Sequence, residues 1–417
     1  MSNAKVAGRQ DNIASHDEAL TNRLEKLLIP LLSMQRSSWE QGHAAQAILE
    51  AHLAGALPDG VNYLYGLVHD AIVRQAADGR LAVVLNGTGS SDPGAVDPAC
   101  IGESIFFLLD TQAGKLDDAN TRRLETSVKR MLKFILDDCP RAPVPQDSKA
   151  AEDLLFSHRI DSTQIWSDTV YMLSPFLASA AVYYSRHPDP DFEPVELLRL
   201  SLRQIILAAK ALQASTGEWS HIYDLDRREF QRQVFWGVGG GWVCGGIARA
   251  FRTIAAFLET CPESDALKHA WLNDRVLAGL RNECFAILQT SIEAILRYIR
   301  PDGLFHDILD DTSSFVETNL SQEMSYTLYR LFHLQRSGTL SGTLGVPSVE
   351  AEQLEQWAKI AGEMRDAAVG KTDQWGFVRD VCGSPRFKAP GTAAEGQAWA
   401  MLMEVAKAEY ELLESRD

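Results

Sequence analysis

The stretch Leu124-Glu125-Thr126-Ser127-Val128-Lys129-Arg130-Met131-Leu132-Lys133-Phe134-Ile135-Leu136 places apolar side chains at 124, 128, 131, 132, 135 and 136. Steps of three and four residues bring those positions onto one face of a 3.6-residue helix. The pattern recurs along the chain, near 18–35, 39–55, 61–78, 99–110, 120–137, 165–187, 194–214, 242–259, 267–299, 318–336, 348–369 and 392–414. That predicts about twelve helices. Strand-like alternation is confined to short pieces, at Leu81–Leu85 and around Phe235. Loops rich in Gly, Pro and Asp separate the helices, as at Asn86–Pro98, Cys139–Lys149, His187–Pro194 and Ser337–Pro347, and none reads as an interdomain linker. An even number of helices joined by alternately short and long loops suggests stacked hairpins. With 417 residues, the chain exceeds the roughly 250–300 at which a single core stops growing. A hairpin solenoid closed into a ring accommodates that length without a second core. The expectation is an all-α toroid over residues 16–417, preceded at 1–15 by a disordered tail or cloning remnant beginning Met1-Ser2-Asn3-Ala4.

Composition narrows the function. Hydrophobic residues make up 46% and charged residues 23%, enough apolar material for a large core. Lys and Arg number 40 against 56 Asp and Glu, a formal charge of −16. Such a surface repels phosphate backbones and anionic lipid, so neither nucleic acid nor membrane is an expected partner. No apolar run reaches the ~18 residues of a membrane span, and the N-terminus lacks a hydrophobic signal core. The expected location is cytoplasmic, with secretion left open should a leader have been replaced. Six cysteines (Cys100, Cys139, Cys244, Cys261, Cys284, Cys382) lie far apart without metal-type spacing and read as buried thiols.

Familiar signatures fail. Gly370-Lys371-Thr372 lacks the leading Gly of a phosphate loop, which would fall at Arg365. The run Gly237-Val238-Gly239-Gly240-Gly241 lacks the third Gly of a dinucleotide fingerprint. There is no H-E-x-x-H, no G-x-S-x-G and no side-chain set at metal-ligand spacing. Asp137-Asp138 and Asp310-Asp311 read as solvated loop charges. Two N-x-S/T sequons, at Asn86 and Asn319, matter only in a secreted chain.

Four segments mix aromatics and polar groups beside glycine. The first runs Gln164-Ile165-Trp166-Ser167-Asp168-Thr169-Val170-Tyr171-Met172 into Ser174-Pro175-Phe176-Leu177. An acid among apolar side chains is costly unless hydrogen-bonded or protonated; the plain alternative makes Asp168 a helix N-cap. Met172 lies one turn on and shares its face. The second, Phe235-Trp236-Gly237-Val238-Gly239-Gly240-Gly241-Trp242, reads as a loop whose glycines admit a ligand while two indoles stack on a sugar. The third is Gly217-Glu218-Trp219-Ser220-His221-Ile222-Tyr223-Asp224. The fourth is Asp302-Gly303-Leu304-Phe305-His306, followed by Phe315-Val316-Glu317-Thr318-Asn319, where Thr318 or Asn319 can cap the next helix.

In this order, I-W-x-D-x-x-Y-M-x-x-P-F-L, H-x-Y-D, F-W-G-x-G-x-G-W, D-G-L-F-H and E-T-N, the chain resembles glycoside hydrolase family 105, which is related to family 88. The likeness runs from Trp39-Glu40-Gln41-Gly42 to Pro390–Gln397. It implies an (α/α)6 barrel of six helical hairpins with a site at one mouth, and an oligosaccharide substrate handled by a monomer or homodimer. It also implies removal of a 4,5-unsaturated uronic acid from the non-reducing end of lyase-generated oligosaccharides, by hydration of the enol-ether double bond. One carboxyl then serves as acid and afterwards as base, and no metal or organic cofactor is required.

Asp168 falls on the family's catalytic Asp. Asp97 resembles its second carboxylate, with Asp92 an alternative nearby. Trp166, Met172, His221, Trp236 and Trp242 match substrate-contacting positions, with Trp39 and His158 as further candidates. One departure stands out. Where the family reads W-G-R-G-N-G-W, this chain has Val238 for Arg and Gly240 for Asn. An Arg fork is a natural clamp for a carboxylate. Its substitutes here are Arg232, His158, Arg159 and Arg386. Without one, the barrel would act on a different glycoside or unsaturated small molecule, or merely bind glycan.

Overall fold

The computed structural model describes residues 18–36, 38–86, 89–90, 92–112, 115–144 and 154–415. The expected tail at 1–15 and the end of the Cys139–Lys149 loop lie outside the described residues.

Thirteen α-helices are present among them. In chain order they are α1 (Glu18–Met34), α2 (Ser38–Leu53), α3 (Gly60–Val73), α4 (Gly102–Thr111), α5 (Asp118–Lys133), α6 (Thr169–Arg186) and α7 (Pro194–Leu212). Then follow α8 (Gly237–Thr260), α9 (Ala266–Asn273), α10 (Arg275–Leu296), α11 (Asn319–Arg336), α12 (Ala351–Val369) and α13 (Ala394–Glu414). Their packing settles the architecture. Helix α2 lies against α4, α4 against α6, α6 against α8, α8 against α11, α11 against α13, and α13 returns to α2. Six inner helices therefore close a ring, and α1, α3, α5, α7, α10 and α12 pack outside it. This is the (α/α)6 barrel.

The sequence differs between the two rings for a physical reason. Outer α5 buries only Leu124, Ser127, Val128, Met131 and Leu132, the single stripe that its 3.6-residue period marks. Inner helices are buried nearly all round, so they carry small residues wherever two backbones approach. Gly246 of α8 is such a point, since a Cβ there would lie 2.7 Å from the Cα of Tyr171 on α6. The glycine run is thus the first turn of α8, where a loop was expected. Helix propensity argues against five residues with four glycines, but close approach to neighbouring helices overrides it. The single helix expected at 267–299 is two, because Asp274 accepts from the Val276 and Leu277 amides and starts α10 afresh. At the two places where strand was expected, only Leu85–Asn86 and the nearby Glu229–Arg232 are strands, and Phe235 belongs to neither.

The inner helices run the same way. Trp39 in the first turn of α2 meets Glu395 in the first turn of α13, whereas Glu50 near the end of α2 meets Arg330 in the second half of α11. One mouth therefore gathers helix N-termini, and short strands decorate it. A three-stranded antiparallel sheet of Gln164–Trp166, Ile222–Asp224 and Glu229–Arg232 pairs Trp166 with Ile222 and Ile222 with Arg232. All six cysteines are buried and free. No helix among the described residues is long and apolar enough to cross a membrane.

Candidate active site

Asp168 stands at the N-cap of α6, yet its side chain makes no capping bond. Oδ1 is buried with no partner, so the 15% exposure of the side chain falls on its remaining atoms. Burial pushes its pKa up to about 6; the imidazole of His158 pulls against this, and the charge of Asp97 reinforces it. The cap reading is therefore set aside by geometry: this carboxyl is held back from the amides it could have capped.

His158 joins the two acids. Its Nε2 lies 3.2 Å from Asp97 Oδ1, and its Nδ1 is 4.0 Å from Asp168 Oδ1 and 2.9 Å from Thr169 Oγ1. Burial works to strip its proton, but Asp97 and Asp168 on either side prevail and hold its pKa above the ordinary value. An aromatic wall continues from it. His158 stacks on Trp166 with centroids 4.6 Å apart, Trp166 meets His221 edge-on at 5.5 Å, and His221 lies 4.4 Å from Trp236. The Trp236 indole N–H then donates to Asp307 Oδ1 at 3.1 Å. Asp97, His158, Asp168, Trp166, His221 and Trp236 are thus brought together. They come from the turn before α4, the three-stranded sheet and the segments entering it, and the starts of α6 and α8.

The other expected contacts lie elsewhere. Trp39 is drawn to α13, its indole N–H donating to Glu395 Oε1 at 2.9 Å. Met172 is buried one turn into α6 beyond Asp168. Trp242 sits deeper still, in contact with His43, Tyr171 and Trp399 at 4.6–5.1 Å. These three rings and Trp242, from α2, α6, α13 and α8, form a buried aromatic plug among the inner helices. A cavity of about 580 Å³ adjoins the wall, lined by Arg232, Asp307, Ser314, Phe315, Phe387 and Lys388 among others. Asp168 is not among its lining residues.

Several buried acids at this mouth escaped the sequence reading. Glu317 caps α11, accepting from the Asn319, Leu320 and Cys382 amides, so Thr318 and Asn319 do not perform that task. Burial nevertheless pushes Glu317 up to about 8, against those three donors. Glu323, on the same helix, is buried with neither carboxyl oxygen partnered, and burial followed by the charges of Glu317, Asp168 and Glu395 raises it well above its ordinary value. Glu395 is pushed up by burial to about 7. Asn319, Gln322 and Ser167 also hold unpartnered buried polar atoms. The available signal was the four-residue spacing of Asn319 and Glu323, which puts both on one face of α11. Asn319 is fully buried, so the sequon there is closed to glycosylation in the folded chain. Among the described residues no cluster of three or more His, Cys, Asp or Glu is arranged to hold a metal.

A closed ring of helical hairpins, with a raised-pKa carboxyl under an aromatic wall at its N-terminal mouth, is the frame of a helical-barrel glycoside hydrolase. The model of Glycosyl Hydrolase Family 88 matches residues 12–340, and the chain belongs to that family. It is similar to the unsaturated rhamnogalacturonyl hydrolase YesR of Bacillus subtilis, at 23% identity over 316 residues, covering 75% of this chain and 76% of that one. A possible family 105 member from Salmonella enterica serovar Paratyphi A shares the fold with a TM-score of 0.65 at 16% identity, over 93% of each chain. So does an unsaturated glucuronyl hydrolase from Bacillus sp. GL1 responsible for glycosaminoglycan degradation, with a TM-score of 0.54 at 13% identity over 91% of this chain and 87% of that one.

Proposed function

We propose that this enzyme removes a 4,5-unsaturated uronic acid from the non-reducing end of oligosaccharides left by a polysaccharide lyase. The observation that carries the reading is Asp168: a mostly buried carboxyl whose Oδ1 accepts no hydrogen bond, raised to about 6, near an imidazole and a second acid. Such a group is partly protonated near neutrality, as a general acid needs. Asp168 gives its proton to C4 of the enol ether, and positive charge develops at C5. Water adds at C5 and returns a proton to Asp168. The resulting hemiketal opens and the remaining saccharide leaves. The reaction requires neither metal nor organic cofactor, because each step moves only a proton or a water. His158, between Asp97 and Asp168, balances the charge as Asp168 ionises. Trp166, stacked on His158 on one side and only half-buried, offers its ring to the sugar, and Asp97 orients the water.

The names of the similar proteins support this substrate class, and the helix N-termini gathered at the mouth favour an anionic ligand within a chain of charge −16. Residues 16–417 then form one catalytic unit, working in the cytoplasm on imported oligosaccharides. The test is optical. Lyase-digested pectin or glycosaminoglycan should lose its double-bond absorbance on addition of the enzyme, and no loss across a panel of such digests refutes the reading. One observation favours a second reading: Val238 is buried and brings no charge at the position where the resemblance to family 105 implies an Arg. Turnover of saturated uronides, or indifference to the substrate's carboxylate, would support a different glycoside.

A further inference from the structure

The last turns of all six inner helices line a second cavity, at the end of the barrel away from Asp168. Leu53 of α2, Thr111 of α4, Arg186 of α6, Thr260 of α8, Leu334 of α11 and Leu413 of α13 belong to it. Its volume is about 730 Å³, inside the ~300–1,000 Å³ of small-molecule sites. The aromatic plug stands between it and the other mouth: Trp399 meets Tyr326 at 5.5 Å, and the Tyr326 hydroxyl donates to Glu50 Oε1 at 2.8 Å.

The wall of this cavity is apolar. Leu53, Phe107, Val182, Leu412 and Leu413 are only half-buried there, which leaves hydrocarbon surface for a ligand to cover. The floor is ionic and balanced, with Arg249, Arg252 and Arg330 set against Glu50, Glu103 and Glu409. Glu50 is already held by Arg249, Arg330 and Tyr326, and Glu409 by Arg330. Arg252 is left over. It lies 3.2 Å from Glu50 and 3.6 Å from Glu409, makes no hydrogen bond among the described residues, and keeps 24% of its side chain exposed. Arg330 Nε and Ser179 Oγ, both on residues that line the cavity, are buried without a partner.

A guanidinium has only donors to offer, so whatever meets Arg252 must accept. The surroundings set the charge of that group. The three floor arginines are matched by three acids, Arg186 pairs with Asp110 at the rim, and Glu259 brings one more acid, bonded to Thr339 Oγ1. The inner helices also end here with their carbonyls toward the cavity, which opposes an anion. A cation would meet the open side of Arg252. We propose that this C-terminal mouth is a second binding site, and that it takes an uncharged amphiphile: an aliphatic body against the leucine and valine wall, with ether or carbonyl oxygens accepting from Arg252. The site shares no residue with the Asp168 mouth and does not depend on the hydrolase reading.

The probe is tetraethylene glycol mono-octyl ether, titrated calorimetrically into the full chain below its micelle concentration. It should give a single-site isotherm, with octanoate and octyltrimethylammonium each about tenfold weaker or worse. Tetraethylene glycol without the octyl chain should not saturate. Arg252→Met should weaken the octyl ether about tenfold, the scale of a hydrogen bond to a charged group, and Arg252→Lys should recover part of the loss. Leu413→Trp, at the end of α13, and Val182→Trp, across the ring on α6, each fill the cavity and should weaken binding by about tenfold or more. Thermal melts confirm that each variant is folded, and the two insertions are independent, so either one localises the probe. Absence of saturable binding, equal or tighter binding of either charged probe, or an affinity unchanged by Arg252→Met or by a folded Trp variant overturns the site.

Discussion

Glu50, near the end of α2, and Glu323, one turn into α11, are both fully buried inside the inner ring, at opposite ends of it. Glu50 is surrounded by cations. Arg249 reaches its Oε1 at 2.5 Å and Arg252 at 3.2 Å, Arg330 binds Oε2, and the Tyr326 hydroxyl donates at 2.8 Å. Burial opposes its ionisation, but the three arginines overwhelm that and hold the carboxyl far below the usual range. Glu323 has no cation and no donor, and burial drives it the other way. The same residue in the same barrel is thus an anion at one end and a neutral acid at the other. Paired charge surrounds Glu50 at the C-terminal end of the ring, while at the N-terminal mouth Glu323, Asn319 and Gln322 hold buried polar atoms without partners. Buried polar groups left open are costly, and they persist where a function uses them.

Four changes probe that contrast. Asp168→Asn should cut turnover by about a thousandfold while the protein still unfolds cooperatively, as activity and thermal melts together would show. Arg249→Met strikes the opposite end. It leaves Glu50 and Glu103 short of their partner and should cost about 3–5 kcal/mol in urea unfolding, with activity per folded molecule retained. Equal loss of activity would mean that the two ends are coupled.

Glu323→Gln is subtler, and its sign depends on pH. A carboxyl raised on folding binds its proton in the native state but not in the unfolded one once pH exceeds the unfolded value. Stability from Glu323 therefore falls as pH rises above about 4.5. The variant should match the wild type near pH 5 and exceed it near pH 8, by urea midpoint. A variant weaker at pH 8 would show that Glu323 is ionised and paired. The smallest effect belongs to His158→Asn. The His158 charge pulls the Asp168 pKa down, so its removal should move the alkaline fall of kcat/KM upward, by about one unit or less.

Much of this was open to sequence reading. A periodic stripe marks outer α5, because only one face of it is buried, and the apolar positions of Leu124–Leu136 fall largely on the face that α5 and its continuation bury. Asp168 was visible as an acid among apolar neighbours. Inner helices conceal more. In a closed ring every face is covered, so the usual inference that a helical Glu faces water fails for Glu323, Glu50 and Glu395. Gly237–Gly241 read as loop because local propensity carries no trace of a neighbour that must fit against it. At Gly241 a Cβ would collide with the Glu323 carboxyl. Trp242 shared a motif with Trp236 but not a location: half a dozen residues of helix carry it down to the plug. The bond from Arg232 Nη1 to His221 Nδ1 spans a bulged strand pair, a register no spacing rule encodes.

The plug itself has a kinetic meaning. His43, Tyr171, Trp242 and Trp399 are all buried and in mutual contact, so the barrel is a cup and not a tube. On the proposed function, a saccharide could not thread past these rings and would have to present an end to the mouth.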